Sequence, residues 1–364
     1  MRIMQLVPEF DGGGAERVAL SLLGALATTG TPVLGVGFYA PRRPVPPSLE
    51  HALQFCKFLG KHPGPDLRMY IRLREVVRTF QPDVIHCHLH VMKYIWPVLL
   101  NRRTVGCVYT AHSIASHDAQ GLTWLGNLLA FRVARVAVVG VAKAVAESIN
   151  QSYHITNCRV IANGVDVAES TLSPGQWRER HGISPGALMF LCVGSLGPPK
   201  CPGRVLQAFA EMHPTELNAE LVFVGDGPLR PTLARMAVEL GVARQVHLLG
   251  FQPDAADALR ASNVLVHCSD LEGDPMAIKE AMCTGLPVIA ASVGGVPEVI
   301  SHGITGYLYP AGDHQQLTAL MRHLATNEGD RHRIGAAART HALSGFTLNH
   351  MAAEYMRLYQ ELAS

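Results

Sequence analysis

Along the chain, short runs in which nearly every position is apolar alternate with longer stretches in which apolar residues return every three or four positions. A run apolar on both faces suits a strand covered on both sides, and the three-to-four spacing suits a helix with one face on a core. The alternation predicts α/β architecture, parallel sheets covered by helices. Strands are predicted at 2–7, 32–38, 83–87, 106–110, 136–140 and 158–162, then near 188–193, 220–224, 245–249, 263–267 and 287–290. Two doubly wound domains follow, and 364 residues are more than one core ordinarily supports. Between the two series, Asn163-Gly164-Val165-Asp166 and the polar stretch through Ser173-Pro174-Gly175 read as a hinge. The domains are therefore read as 1–164 and 165–345. A last segment, 346–364, carries Met351, Tyr355, Leu358, Tyr359 and Leu362 on one helical stripe, suited to packing back across both domains.

The densest chemistry lies in the second series, in Ser269-Asp270-Leu271-Glu272-Gly273-Asp274-Pro275-Met276-Ala277 and on to Glu280 and Gly285-Leu286-Pro287. It reads as strand end, loop, short helix and next strand, with Asp274 as helix cap, Pro275 at the first helical position and Gly285 ending the helix. A helix opening at the carboxyl end of a parallel strand aims unsatisfied N–H groups into the crevice where such sheets bind ligands, so a diphosphate fits there. Glu272 precedes the helix and Glu280 lies about a turn and a half inside it. Each carboxylate offers two acceptor oxygens, a match for vicinal hydroxyls of a sugar and of a ribose. Upstream, Gly194-Ser195-Leu196-Gly197-Pro198-Pro199-Lys200 leaves a strand as a loop whose Lys can neutralise the charge that builds on a departing diphosphate. Ser292-Val293-Gly294-Gly295-Val296-Pro297-Glu298 forms a second glycine turn, suited to close backbone approach by the ligand.

In the first series, Gly12-Gly13-Gly14-Ala15-Glu16-Arg17 follows the first strand and opens a helix. It is not the dinucleotide fingerprint, which needs Gly where Arg17 stands. His86, His88 and His90 alternate along a strand and share a face, yet no fourth ligand is near, and no metal site is expected. His112 ends another strand in Tyr109-Thr110-Ala111-His112-Ser113.

Charge adds a partition. Residues 1–165 carry 17 Lys+Arg against 9 Asp+Glu, and the remainder 14 against 20. The basic first half favours an anionic partner, a phospholipid surface or a phosphorylated acceptor, against the alternative of a solvated basic face. In segment 68–80, Tyr70, Leu73, Val76, Val77 and Phe80 fall on one helical face, opposite Arg68, Arg72, Arg74 and Arg78. The eight cysteines show no metal spacing and lie largely in apolar runs, as in a reducing cytosol. The chain opens on a strand without a basic-then-apolar leader, and the apolar stretch 124–145 is broken by Arg132, Arg135 and Lys143. The expectation is a cytoplasmic protein, soluble or peripheral on the inner face of the plasma membrane.

Glu272-Gly273-x-Pro275-x4-Glu280-Ala281-Met282, with Gly285-Leu286-Pro287, Gly294-Gly295-Val296-Pro297-Glu298, Val224-Gly225-Asp226-Gly227-Pro228-Leu229 and Leu249-Gly250-Phe251, resembles glycosyltransferase family 4 over essentially the whole chain. The resemblance implies the GT-B fold: two Rossmann-like domains facing a central cleft, with a C-terminal helix crossing back to the first. It implies a retaining hexosyl- or N-acetylhexosaminyltransferase using a nucleoside-diphosphate sugar, most often a UDP-sugar, with no cofactor and no metal. Its acceptor would be a glycan, a lipid-linked glycan of polysaccharide biosynthesis or a small molecule, and no nucleic acid. Carried over by position, Glu272, His112 and Lys200 are the catalytic residues, positioning and stabilising rather than forming a covalent bond. Gly13, Gly14, Lys200, Ser195, Gly250, Asp274, Pro275, Met276, Ala277 and Glu280 bind the donor, and Arg17 and His88 lie on the acceptor side. Two departures stand out. The family pairs its Lys with an Arg five residues earlier, where this chain has Ser195; Arg204 is a candidate substitute cation, weaker donor binding or lost activity being the alternatives. Asp274 puts an anion where phosphate would bind. A nucleotide-sugar 2-epimerase and a non-catalytic nucleotide-sugar-binding protein remain alternative readings.

Overall fold

The computed structural model describes all residues except 11–12, 65, 102–104, 119–120, 135, 167–171 and 254, so the middle of the expected hinge lies outside the described residues. The chain divides into two compact units, Met1–Asp166 with Phe346–Ser364, and Val167–Gly345.

The first unit holds a seven-stranded sheet in the order β3-β2-β1-β4-β5-β6-β7, parallel at every pairing. Its strands are β1 (Ile3–Val7), β2 (Val33–Gly37), β3 (Cys56–Phe58), β4 (Val84–His88), β5 (Gly106–Ala111), β6 (Ala137–Gly140) and β7 (Arg159–Val160). The expected strands are present, and β3 is an addition. Three residues at a sheet edge are too few to impose a readable alternation. The inner strands β1 and β4 are buried at every position, with Gln5 in β1 and His86 and His88 in β4 as their polar residues.

The second unit repeats the plan with β10-β9-β8-β11-β12-β13, again all parallel. Here the strands are β8 (Leu188–Val193), β9 (Ala219–Val224), β10 (Val246–Leu248), β11 (Val264–His267), β12 (Val288–Ala291) and β13 (Tyr307–Tyr309). The unexpected strand, β13, is again a three-residue edge. Phe190, Phe209, Phe223 and Met321 fill its core, each fully buried.

In each sheet the direction of strand addition reverses once, between β1 and β4 and between β8 and β11. Loops leaving the two strands at a reversal run to opposite faces and open a crevice at their carboxyl ends, where open α/β sheets bind ligands.

The terminal Leu348–Ala363 helix belongs to the first unit. Met351, Tyr355, Leu358 and Tyr359 form its buried stripe. Gly106 accommodates it: a Cβ there would stand 2.8 Å from that of Leu362. The Arg68–Phe80 helix buries Met69, Leu73, Val76 and Val77, while Tyr70 and Phe80, expected on that face, are half-buried.

Candidate functional site

At the β8/β11 reversal, two loops are stitched together. Asp270 N–H and the Ser269 hydroxyl both donate to the carbonyl of Pro199, each at 2.9 Å. This brings Lys200, at the end of a 3-10 turn, onto the carboxylate of Glu272. His267 Nε2, from the last residue of β11, reaches the same Oε1 at 2.6 Å. Glu272 is 7% exposed. Burial alone would raise its pKa, but the hydrogen bond and charge contributed by His267 and the charge of Lys200 outweigh that effect and hold it at about 2. Glu272 is thus an ionised acceptor with a second oxygen available for hydroxyls, and Lys200 keeps a third of its side chain exposed. His267 was not anticipated; its signal was only a polar residue closing an apolar strand.

Gly294, the second glycine turn, has φ +49° and sits so close that a Cβ would lie 1.8 Å from the Glu272 carbonyl oxygen. The close approach expected there from a ligand is instead made by the backbone of Glu272, so this turn braces the loop.

The Met276–Thr284 helix opens as the composition demands, but one residue out of register. Pro275 is its N-cap and makes no side-chain cap bond. The first intrahelical bond runs from Ile278 N–H to Pro275 O, so the N–H groups of Met276 and Ala277 precede it. Asp274 corrects the capping expectation. Its side chain is buried and pairs at 2.5 Å with Lys279, which is fully buried. Burial pushes the Lys279 ammonium down, with Asp274 pulling it back up. The pairing engages the Asp274 carboxylate with a buried ammonium. Glu280 is buried inside the same helix.

Ser195 is exposed beside Gly194, Lys200 and His267 on the rim of a shallow depression. Arg204, the cation suggested as substitute, is engaged by Asp270 through two contacts, 2.5 and 3.2 Å, with both side chains partly exposed. Gly250 has φ +76°, and a Cβ there would meet Arg230, whose guanidinium donates to Leu248 O at 3.0 Å. Arg230 is a cation near an expected donor-binding position that the pattern had not singled out.

At the β1/β4 reversal the buried rings and hydroxyls are uncharged. Gly13 caps the Gly14–Thr28 helix without a side-chain bond, both glycines are exposed, and Arg17 is half-buried in the first turn. His86 lies in β4 with both ring nitrogens occupied, Nδ1 by the Tyr359 hydroxyl at 2.6 Å and Nε2 by Thr110 at 2.7 Å. Thr110 in turn meets the Tyr355 hydroxyl at 2.9 Å. His88, expected on the acceptor side, is fully buried; it stacks 4.0 Å from His86 and meets His112 Nε2 through its Nδ1 at 3.0 Å. Alternation put His86 and His88 on one face correctly, but that face is covered by the terminal helix. Burial pushes the pKa of all three rings down, that of His112 to about 4 and those of His86 and His88 well below the ordinary 6.5. His112 alone of the three is half-buried. Among the described residues, no group of three His, Cys, Asp or Glu is arranged to hold a metal ion.

Comparison with known proteins agrees with this plan. Residues 12–169 match Glycosyltransferase Family 4 and residues 175–341 match Glycosyl transferases group 1. The chain is 27% identical over 311 residues to the N-acetyl-alpha-D-glucosaminyl L-malate synthase of Bacillus anthracis, covering 83% of this chain and 81% of that one. It is 29% identical over 332 residues to the D-inositol 3-phosphate glycosyltransferase of Thermobispora bispora, covering 85% and 75%. In fold it superposes on the crystal structure of Anabaena Alr3699/HepE in complex with UDP and glucose with a TM-score of 0.83 at 22% identity, covering 99% and 100% of the two chains. Two parallel α/β units, each with one strand reversal, and both family matches lead to one conclusion: the chain is an enzyme of glycosyltransferase family 4 with the GT-B fold.

Proposed function

We propose that the enzyme transfers a hexose or N-acetylhexosamine from a UDP-sugar with retention of anomeric configuration and without a metal ion. The observation that carries this reading is the convergence of Lys200 and His267 on one oxygen of Glu272 beside the opening of the Met276–Thr284 helix. In this reading the diphosphate lies on the Met276 and Ala277 N–H groups and draws Lys200 from Glu272, supplying the positive charge a metal would otherwise bring. Glu272 then holds sugar hydroxyls and Glu280 the ribose. No side chain serves as covalent nucleophile: the acceptor attacks from the leaving-group face, and its proton passes to the departing phosphate oxygen.

An anionic acceptor is favoured by the first unit. A cavity of about 490 Å³ at the carboxyl ends of its strands is lined by Tyr39, Tyr70 and Tyr94 together with Lys61, Lys93 and His90. Aromatic walls suit the C–H faces of a sugar or polyol, and the lysines suit a carboxylate or phosphate. The names of both relatives above contain such an anion, malate or inositol phosphate. UDP-glucose and UDP-N-acetylglucosamine, each offered L-malate and inositol 3-phosphate, test the proposal. Acceptor-dependent release of UDP with an α-configured product is expected. Isomerised donor in the absence of acceptor would instead establish an epimerase, and binding without turnover a sensor.

Peripheral membrane attachment is part of the same proposal. Leu67 and Ile71 are 77% and 72% exposed and share one side of the Arg68–Phe80 helix with the exposed Arg74 and Arg78. Apolar side chains set among arginines suit an anionic bilayer surface. Flotation with anionic vesicles should be lost in Leu67→Ser/Ile71→Ser; no flotation of the unaltered protein refutes attachment.

A further inference from the structure

The histidines at the β1/β4 reversal support an assignment that goes beyond the proposed activity while resting on its view of His112 as a contact to substrate. His88 Nδ1 and His112 Nε2 are 3.0 Å apart, both rings are held neutral by burial, and so one nitrogen donates and the other accepts. Only two arrangements exist. If His112 donated from Nε2, the proton of His88 would sit on its own Nε2, an atom that is buried and meets no hydrogen-bonding group. An N–H stranded in a protein interior is rare, whereas an acceptor left bare is better tolerated.

We infer that His88 is a positioning residue: it donates from Nδ1 to His112 Nε2, which places the proton of His112 on Nδ1 and makes His112 a hydrogen-bond donor toward substrate. Nδ1 is the nitrogen of His112 that no hydrogen bond among the described residues engages. Such a group can steady a sugar hydroxyl or a phosphate oxygen gaining charge, and it cannot take the acceptor's proton.

The ring of His88 is itself held in place. It stacks on His86, whose two nitrogens are pinned by Tyr359 and Thr110, and Thr110 is pinned by Tyr355. The terminal helix thus sets the orientation of a stack that ends at His112.

Long-range 1H–15N spectra of the imidazoles in the 15N-labelled full chain test the assignment, with the His112 signals identified by their loss in His112→Gln. A protonated Nδ1 and bare Nε2 on His112 are expected in the unaltered protein. They are expected also in His88→Asn, whose amide N–H takes the place of Nδ1–H. Protonation of His112 on Nε2 overturns the assignment. In turnover, His88→Leu should lower kcat about tenfold or more with the donor KM little changed, and His88→Asn should recover most of the loss. Wild-type kcat in a folded His88→Leu protein overturns the positioning role. Should His88→Leu fail to fold, failure of His88→Asn to retain the tautomer and rate would do the same. The spectra need no substrate, so absence of any transferase activity would count against the proposed function and leave the tautomer decided on its own.

Discussion

The two strand reversals have the same topology and opposite chemistry. At β8/β11 the buried groups are ions made bearable by partners: Glu272 by Lys200 and His267, Lys279 by Asp274. At β1/β4 they are neutral rings and hydroxyls: His86 and Thr110 hydrogen-bond to Tyr359 and Tyr355 of the terminal helix, and His88 to His112. A parallel sheet supplies both places with the same geometry, a crevice at the carboxyl ends. What differs is the cost of desolvation, which is large for an ion and moderate for a hydrogen-bonded neutral group. The charged reversal suits a diphosphate leaving group, whereas the buried groups at the neutral one suit hydroxyls, with Lys61 and Lys93 of the neighbouring cavity supplying positive charge.

Mild acid should separate the two most widely. The folded pKa values of His86 and His88 lie well below 6.5 and that of His112 falls to about 4. Below about pH 6.5 the unfolded chain therefore takes up protons that the folded first unit refuses, and stability falls as pH falls. Each histidine contributes a loss of about 1.4 kcal/mol per pH unit, or about 4 for the three together. Glu272 acts in the same direction but in a lower window: its pKa is depressed to about 2, so its contribution is complete above about 4.5 and fades only below that. Hydrogen exchange at pH 7 and pH 5.5 should show β4 and β5 losing protection while β8 and β11 keep theirs. Equal losses in both sheets would erase the distinction.

The next effect in size is catalytic. Glu272→Ala should lower kcat by about 10²–10³, or about 3–4 kcal/mol of barrier, with the fold retained by circular dichroism. Turnover at the wild-type rate would remove Glu272 from the site altogether. Its place was legible in the sequence because helix start, helix stop and glycine turns surround it at short range. Asp274 was misread by the same local logic. A capping rule weighs one side chain against nearby N–H groups, whereas the buried Lys279 one turn away makes a stronger claim on the carboxylate. His88 was misread for a different reason. The period of two along β4 fixes which residues share a face but not what covers it, and the covering helix comes about 260 residues later in the chain. The edge strands β3 and β13 escaped because three residues carry no period. His267 escaped because its role depends on where the following loop returns.

The smallest of these effects bears on how much positive charge the β8/β11 reversal needs. Ser195 stands where the family resemblance puts an Arg, and Arg204, the candidate to replace it, is bound to Asp270. In the proposed reading Lys200 serves both the Glu272 carboxylate and the diphosphate, aided by the N–H groups that open the Met276–Thr284 helix. Ser195 is exposed on the rim beside Lys200, so a guanidinium there meets solvent and not a packed core. Ser195→Arg should therefore lower the Kd for UDP about tenfold, the equivalent of one charge-assisted hydrogen bond at about 1.4 kcal/mol, and steepen its salt dependence. Calorimetry at two ionic strengths measures both. An unchanged Kd would mean that Lys200 and the helix opening already neutralise the diphosphate. In that case the absence of the second cation costs the binding step nothing, and the charged reversal is complete as built.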